Sequence, residues 1–149
     1  EPRLTVDTRE LEREGDTYTV DTLTEMRAEL GNQVSLSLVM GMDSFVELPR
    51  WRNWEHIIEL ANIVVTQRPG VALPTEGVMA RFAKARAVDS IAKLKAASSG
   101  RVLIQQLSLL DISATGIRAL INDGHSARYL LPESVWDYIE QHRLYRSIE

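Results

Sequence analysis

Asp111-Ile112-Ser113-Ala114-Thr115-Gly116-Ile117-Arg118 holds the residues of an anion site where a strand gives way to a helix. Ser113 is placed to cap a helix over residues 114–122, because its hydroxyl can accept a first-turn N–H. The amides that remain unpaired at such a start, with the positive end of the helix dipole, attract phosphate. Thr115 adds a hydroxyl in the first turn, and Arg118 can reach back with a forked set of donors. Gly116 has a helical cost and permits a close approach by a ligand or neighbouring backbone. An ordinary capped helix with a surface arginine fits the same residues equally well.

Other residues could serve a ligand beside such an anion site. Asp43 follows an apolar run at the point where open α/β sheets bind ligands, and holds a ribose hydroxyl, helps position a metal-chelated phosphate, or caps residues 44–47. Trp51 lies between Arg50 and Arg52, directly after Pro49. Its ring either stacks on an aromatic base or pyridine, with nearby N–H groups or Arg52 answering a carboxylate, or it closes a small helix. Tyr18-Thr19 precedes a helical pattern, so its amides receive an anion or Thr19 acts as an N-cap. Arg68, before Pro69, is a phosphate donor or a structural clamp. His56 and His142 have no evident Ser or Asp relay, His125 follows Gly124 in a turn and could touch phosphate, and no hydrolase triad, P-loop or paired-carboxylate motif appears.

The elements that would position these residues alternate between strand and helix. Leu4 to Val6 reads as the end of a strand. Val20, Leu23, Met26, Arg27 and Leu30 share a helical face that stops at Gly31, with Thr22 and Thr24 on the exposed side. Ser35 to Met40 reads as a covered inner strand ending at Gly41. A short helix carrying Trp54, Ile57, Ile58 and Ala61 leads to a strand at Ile63–Thr66, closed by Arg68-Pro69-Gly70. Residues 78–97 form one bent helix or two short ones, and Val102–Ile104 with Leu107 forms another strand. A last helix opens at Pro132 and packs Val135, Trp136 and Ile139. Strand, helix, strand is the unit of a parallel sheet, so the expected class is α/β.

Composition narrows the function. The 149 residues carry 21 acidic and 17 basic side chains, a formal charge of -4, which offers no global field for nucleic acid. With no Cys, disulfides and thiolate-bound metals are excluded, and the 3 His show no metal-ligand spacing. No apolar run approaches the about 18 to 20 residues that span a bilayer. A cytoplasmic location without membrane partners is therefore expected. The chain opens on Glu1 rather than methionine and is expected to be an internal piece of a longer one.

The motif Ile112-Ser113-Ala114-Thr115-Gly116-Ile117-Arg118 looks like the C-terminal signature of nucleotidyltransferases that join a mononucleotide to ATP. Tyr18-Thr19-Val20-Asp21-Thr22-Leu23, Gly41-Met42-Asp43, Leu48-Pro49-Arg50-Trp51, Gln67-Arg68-Pro69-Gly70 and Leu131–Ile139 extend the likeness in order. Together they resemble the bacterial nicotinate-nucleotide adenylyltransferases along nearly the whole chain. The resemblance implies a partial doubly wound, Rossmann-like nucleotidyltransferase fold, with residues 1–149 as the C-terminal part of a single adenylyltransferase domain. It implies transfer of the adenylyl group of ATP to nicotinate mononucleotide, giving deamido-NAD and pyrophosphate in NAD biosynthesis. Mg²⁺ would arrive with ATP.

By the same resemblance Trp51 would stack on the nicotinate ring, while backbones near Thr19 and Arg52 take its carboxylate. Asp43 would bind at the nucleotide ribose, with Arg68 also on the mononucleotide side. Ser113, Thr115 and Arg118 would hold ATP phosphates, Arg118 supporting catalysis. The family's GxFDPxHxxH segment is absent, so the chain matches roughly the last two-thirds of a member and is expected to be weak or inactive alone. In the family's strand order 3-2-1-4-5, that absence would separate strand 3 from strand 4 and lower stability. A homo-oligomer or a chain carrying the missing half would then be a partner. Alternatives are transfer to nicotinamide mononucleotide or another phosphorylated substrate, as in the phosphopantetheine enzyme, and a noncatalytic nucleotide-binding fragment.

Overall fold

The computed structural model describes residues 3–67, 72–107 and 112–146. The chain divides into two compact units, Glu1–Ser108 and Leu109–Glu149.

The first unit is built on three parallel strands, β1 (Ser37–Gly41), β2 (Asn62–Gln67) and β3 (Val102–Gln106), in the order β1-β2-β3. Met40 pairs with Val65, and Val65 with Ile104, so residues two apart line one face. Met40, Ile63, Val65 and Val102 are buried on that face, with Leu38 and Ile104 packed beside them. The opposite face includes Val39, which is 63% exposed. β1 is thus an edge strand among the described residues, not the inner strand its dense apolar content suggested. That content reports burial of one face and cannot specify which strands lie alongside.

Parallel strands need crossovers, and helices supply them. Between β1 and β2 come α3 (Met42–Val46), a 3-10 turn at Leu48–Arg50 and α4 (Trp54–Leu60). Between β2 and β3 come α5 (Val78–Arg86) and α6 (Ile91–Lys95). The expected helix over residues 78–97 is therefore two helices. Val88 N–H donates to the Val102 carbonyl at 2.9 Å, and Ser90 Oγ restarts the helix by accepting from Lys93 N–H.

Ahead of the sheet, α1 (Arg9–Glu12) precedes α2 (Thr19–Leu30). Leu4–Val6 is not a strand; Leu4 is 77% and Val6 88% exposed, and neither has a ladder partner among the described residues. A strand pattern without a neighbour to pair its amides gains nothing from extension. α2 packs on α4 through the buried Val20, Leu23 and Arg27, and Gly31 ends it in the left-handed region (φ 76°). Thr22 is half-buried rather than solvent-facing, because Glu10 accepts from its hydroxyl at 2.6 Å and Arg13 donates to it at 3.3 Å.

The second unit pairs α7 (Ala114–Asn122) with α8 (Glu133–Gln141). Ile121, Ala127, Trp136 and Ile139 form its core, with Ile117, Leu131 and Leu144 packed around them. Val135 is 45% exposed and does not join Trp136 in that core; the buried stripe of α8 runs through Trp136 and Ile139, three apart. No helix among the described residues is long and apolar enough to cross a membrane.

Candidate active site

In the first unit a cavity of about 270 Å³ is lined by Thr17, Tyr18, Thr19, Arg50, Trp51, Arg52 and Ile57. Its position follows from topology. Chain leaving β1 at Gly41 enters α3 and the 3-10 turn directly, so Arg50 to Arg52 stand beyond the carboxyl end of a parallel strand, where such sheets bind ligands. Pro49 suits the first turn of the short helix, having no N–H to satisfy. Asn53 then takes a left-handed conformation (φ 47°), which Asn tolerates better than most residues, and turns the chain into α4.

Trp51 is half-buried and packs against the main core, which fixes its ring while leaving part of it open to the cavity. Trp54 serves the structural purpose instead, its ring 5.2 Å from that of Phe82.

The other wall is the amino end of α2. Thr19 is the first residue of that helix rather than its cap; Tyr18 occupies the cap position in extended conformation and supplies no side-chain hydrogen bond to the first turn. Tyrosine's hydroxyl sits too far out on its ring to fold back onto the turn as a serine would. The helix thus begins at the cavity with first-turn amides that no side chain caps, an environment suited to an anion. Thr19, Trp51 and Arg52, singled out separately in the sequence, come together here.

Asp43 does not line this cavity. It is the second residue of α3, whose cap position belongs to Gly41, so Asp43 is not the cap of residues 44–47. Its exposed carboxylate folds back over the strand end, with Oδ1 2.8 Å from where a Cβ on residue 41 would stand. Any side chain at Gly41 would displace it. Arg68 lies outside the described residues.

In the second unit Ser113 caps α7, its Oγ accepting from Gly116 N–H at 3.0 Å. A Cβ at Gly116 would lie 3.2 Å from that oxygen, so the close approach that Gly116 permits is by the cap itself. Thr115 and Arg118 are exposed on the first turns of the helix, and Arg118 has no ion-pair partner among the described residues. Asp111, at the head of the motif, lies outside them.

The histidines add no relay. His56 Nδ1 lies 2.7 Å from Glu59 Oε2 on the surface of α4, and the His142 ring packs on Tyr138 at 4.2 Å. Among the described residues no three His, Asp or Glu side chains gather as a metal cage.

Sequence reasoning did not assign two residues that build the scaffold. Asn62 is fully buried at the start of β2; its Nδ2 donates to the Ala97 carbonyl at 2.9 Å and its Oδ1 accepts from Arg101 N–H at 3.0 Å. Arg27, placed by its spacing on the buried face of α2, has only carbonyl partners. A polar residue at the head of an apolar strand was the one available signal for Asn62.

No family model matches the chain. Individual relatives do. It is 45% identical over 145 residues to a probable nicotinate-nucleotide adenylyltransferase of Cellvibrio japonicus, covering 97% of this chain and 68% of that protein. The identity to a protein of the same description from Hahella chejuensis is 44% over 148 residues, or 99% of this chain and 68% of the relative. Among solved structures, nicotinic acid mononucleotide adenylyltransferase of Plasmodium falciparum complexed with APC aligns with a TM-score of 0.60 at 16% identity, covering 89% of this chain and 60% of that one. That likeness supports the partial Rossmann-like fold. On the sequence relatives, the chain belongs to the nicotinate-nucleotide adenylyltransferase family.

Proposed function

We propose that this chain supplies the mononucleotide pocket and an ATP-phosphate site of an enzyme that transfers the adenylyl group of ATP to nicotinate mononucleotide. The observation that carries the reading is the cavity in which a fixed indole stands beside an uncapped helix start and a guanidinium. A flat ring bearing a carboxylate suits all three features. Trp51 stacks on the pyridine ring, and the amides near Thr19 and Arg52 receive the carboxylate. Asp43 accepts from a ribose hydroxyl, and Arg68 pairs with phosphate. The first turn of α7, with Ser113, Thr115 and Arg118, takes phosphates of ATP.

In the reaction a phosphate oxygen of the mononucleotide bonds to the α-phosphorus of ATP as the bond from that phosphorus to the bridging oxygen breaks. Deamido-NAD and pyrophosphate result. No covalent intermediate on the protein is required; these residues contribute by holding the reactants in line and meeting their negative charge. Mg²⁺ enters as part of the MgATP substrate and offsets charge on its phosphates.

The test is deamido-NAD formation from ATP and nicotinate mononucleotide by the full-length protein, with residues 1–149 assayed alongside. Trp51→Ala should raise KM for the mononucleotide about 5- to 100-fold, the range for lost stacking of a base on an aromatic ring. An unchanged KM would remove Trp51 from the pocket. No product from the full-length protein would sink the reading.

A further inference from the structure

Helix α1 is four residues long, buries none of them and leaves its one apolar side chain, Leu11, 84% exposed. So short a helix does not persist by itself, and no apolar contact holds this one down. It is docked by charge on the outer face of α2, where Thr22, Glu25 and Glu29 follow one another at helical spacing opposite the buried Val20, Leu23 and Arg27. Arg9 makes a bidentate pair with Glu29, Nη1 donating at 3.2 Å and Nη2 at 3.0 Å. Arg13 reaches nearer the start of α2. Its Nη2 donates to Glu25 Oε1 at 2.8 Å, both Nη atoms lie 3.3 Å from Thr22 Oγ1, and the Thr22 hydroxyl donates to Glu10 at 2.6 Å. Both arginine side chains are less than one-fifth exposed. From Arg13 the chain turns at Gly15 (φ 87°) and runs directly into Thr17, Tyr18 and Thr19, which line the cavity. Tyr18 packs on the main core, whereas residues 14–17 are exposed, so the docked α1 is what ties down the other end of that stretch.

We propose that Arg13 is a positioning residue: by clamping α1 to Thr22 and Glu25 of α2 it holds residues 17–19, one wall of the cavity, in the arrangement that receives the mononucleotide. The proposal rests on the mononucleotide reading and goes beyond it, giving a role to a segment that lines no part of the cavity. The clamp acts through pre-organisation. A wall that keeps its binding arrangement for only a fraction of the time lowers the apparent affinity by that fraction, without changing any group that meets the ligand. The chemical step is untouched, so the effect belongs in KM for the mononucleotide.

The experiment uses the full-length protein and reads kcat and KM for nicotinate mononucleotide and for MgATP. Hydrogen exchange is followed beside them at the Asp21 and Thr22 amides, which donate to the Tyr18 carbonyl at 3.0 and 3.2 Å and so report on the wall itself. Arg13→Met keeps the aliphatic stem and removes the donors. It should raise KM for the mononucleotide about 2- to 5-fold, the scale of a surface ion pair, with kcat and KM for MgATP unchanged. The two amides should lose protection in the same variant while those of β2 keep theirs. Glu25→Gln should act in the same direction and add little on top of Arg13→Met, because the two residues share one contact. Lys93→Met breaks an exposed pair with Asp89 at 2.8 Å outside the cavity lining, and should change none of these quantities. A mononucleotide KM unchanged in Arg13→Met, or a fall in kcat with both KM values kept, makes Arg13 a structural support only and overturns the proposal. Unchanged protection at Asp21 and Thr22 overturns it as well. Wild-type protein that forms no deamido-NAD overturns the adenylyltransferase reading instead, and the exchange comparison still decides whether Arg13 holds the wall.

Discussion

Arg27 offers the sharpest test of how the scaffold of the pocket is held. It is 9% exposed and bonds to no acid; every recorded partner is a backbone carbonyl. Nε donates to Leu60 at 3.0 Å, Nη1 to Gly31 at 3.0 Å and Val34 at 2.8 Å, and Nη2 to Leu60 and to Ser98, the latter at 3.0 Å. Leu60 ends α4, and Gly31 follows the end of α2, so one guanidinium answers carbonyls that two helices leave unpaired. Its charge also complements the negative ends of both dipoles.

Arg27→Met would keep the packed stem and remove the donors. The buried Leu60 carbonyl would lose both its guanidinium bonds, costing about 1–3 kcal/mol. The other three are partly buried, and the Ser98 carbonyl retains Leu36 N–H at 3.1 Å, so water and that bond limit their combined loss to about 1–2 kcal/mol. Relief of the desolvated cation offsets part of this, leaving a net loss of about 2–4 kcal/mol. In a unit of this size that lowers Tm by roughly 10–20 °C. Arg27→Lys should recover less than half, because an ammonium has only three donors and no fork. Urea titration read from the amide signals of β2 would report this unit alone. A stability within about 0.5 kcal/mol of wild type for Arg27→Met would refute the clamp.

Three further outcomes follow from the same kind of reasoning. Asn62→Leu should cost about 2–4 kcal/mol in the urea titration, since it strands the Ala97 carbonyl and Arg101 N–H that the fully buried amide now serves. Ser113→Ala should weaken the second unit by about 1 kcal/mol through loss of the α7 cap, checked by thermal melting of that unit. Arg9 hydrogen-bonds to Asp7 and pairs with Glu29 of α2 at 3.0 Å; its side chain and backbone hold the Asp7 carboxyl below 3.8. A depressed folded value means that the Asp7–Arg9 contribution is present above the ordinary carboxylate range and is lost as pH falls through the depressed value. The protection of the amides over residues 7–12, corrected for the intrinsic pH dependence of exchange, should therefore fall only below about pH 4, and a loss near neutrality would contradict the assignment.

Much of this was legible because it depends on local rules. Gly31 stops α2, Ser113 caps α7, and the short apolar runs Ile63–Val65 and Val102–Ile104 mark β2 and β3. The break between α5 and α6 was present in the sequence as Ser90, a capping residue three before Lys93, within a stretch whose alanines obscured it. What was not legible depends on partners distant in the chain. Leu4–Val6 has strand composition but no strand beside it, and the edge position of β1 cannot follow from its own residues. Arg27 could be placed on a buried face, yet its acceptors are backbone oxygens, which carry no residue signature.

The pocket divides along the same line. Indole, helix start and flanking arginines could be named from residue types, because each type limits the chemistry available. Their ranking could not. Arg50 and Arg52 are identical in sequence and equally close to Trp51, and only the fold gives one a carboxylate and the other an aromatic face. Since a neutralised guanidinium has much less to gain from a ligand anion than an unmatched one, specificity at this site is set by the neighbours that tertiary structure brings to each arginine.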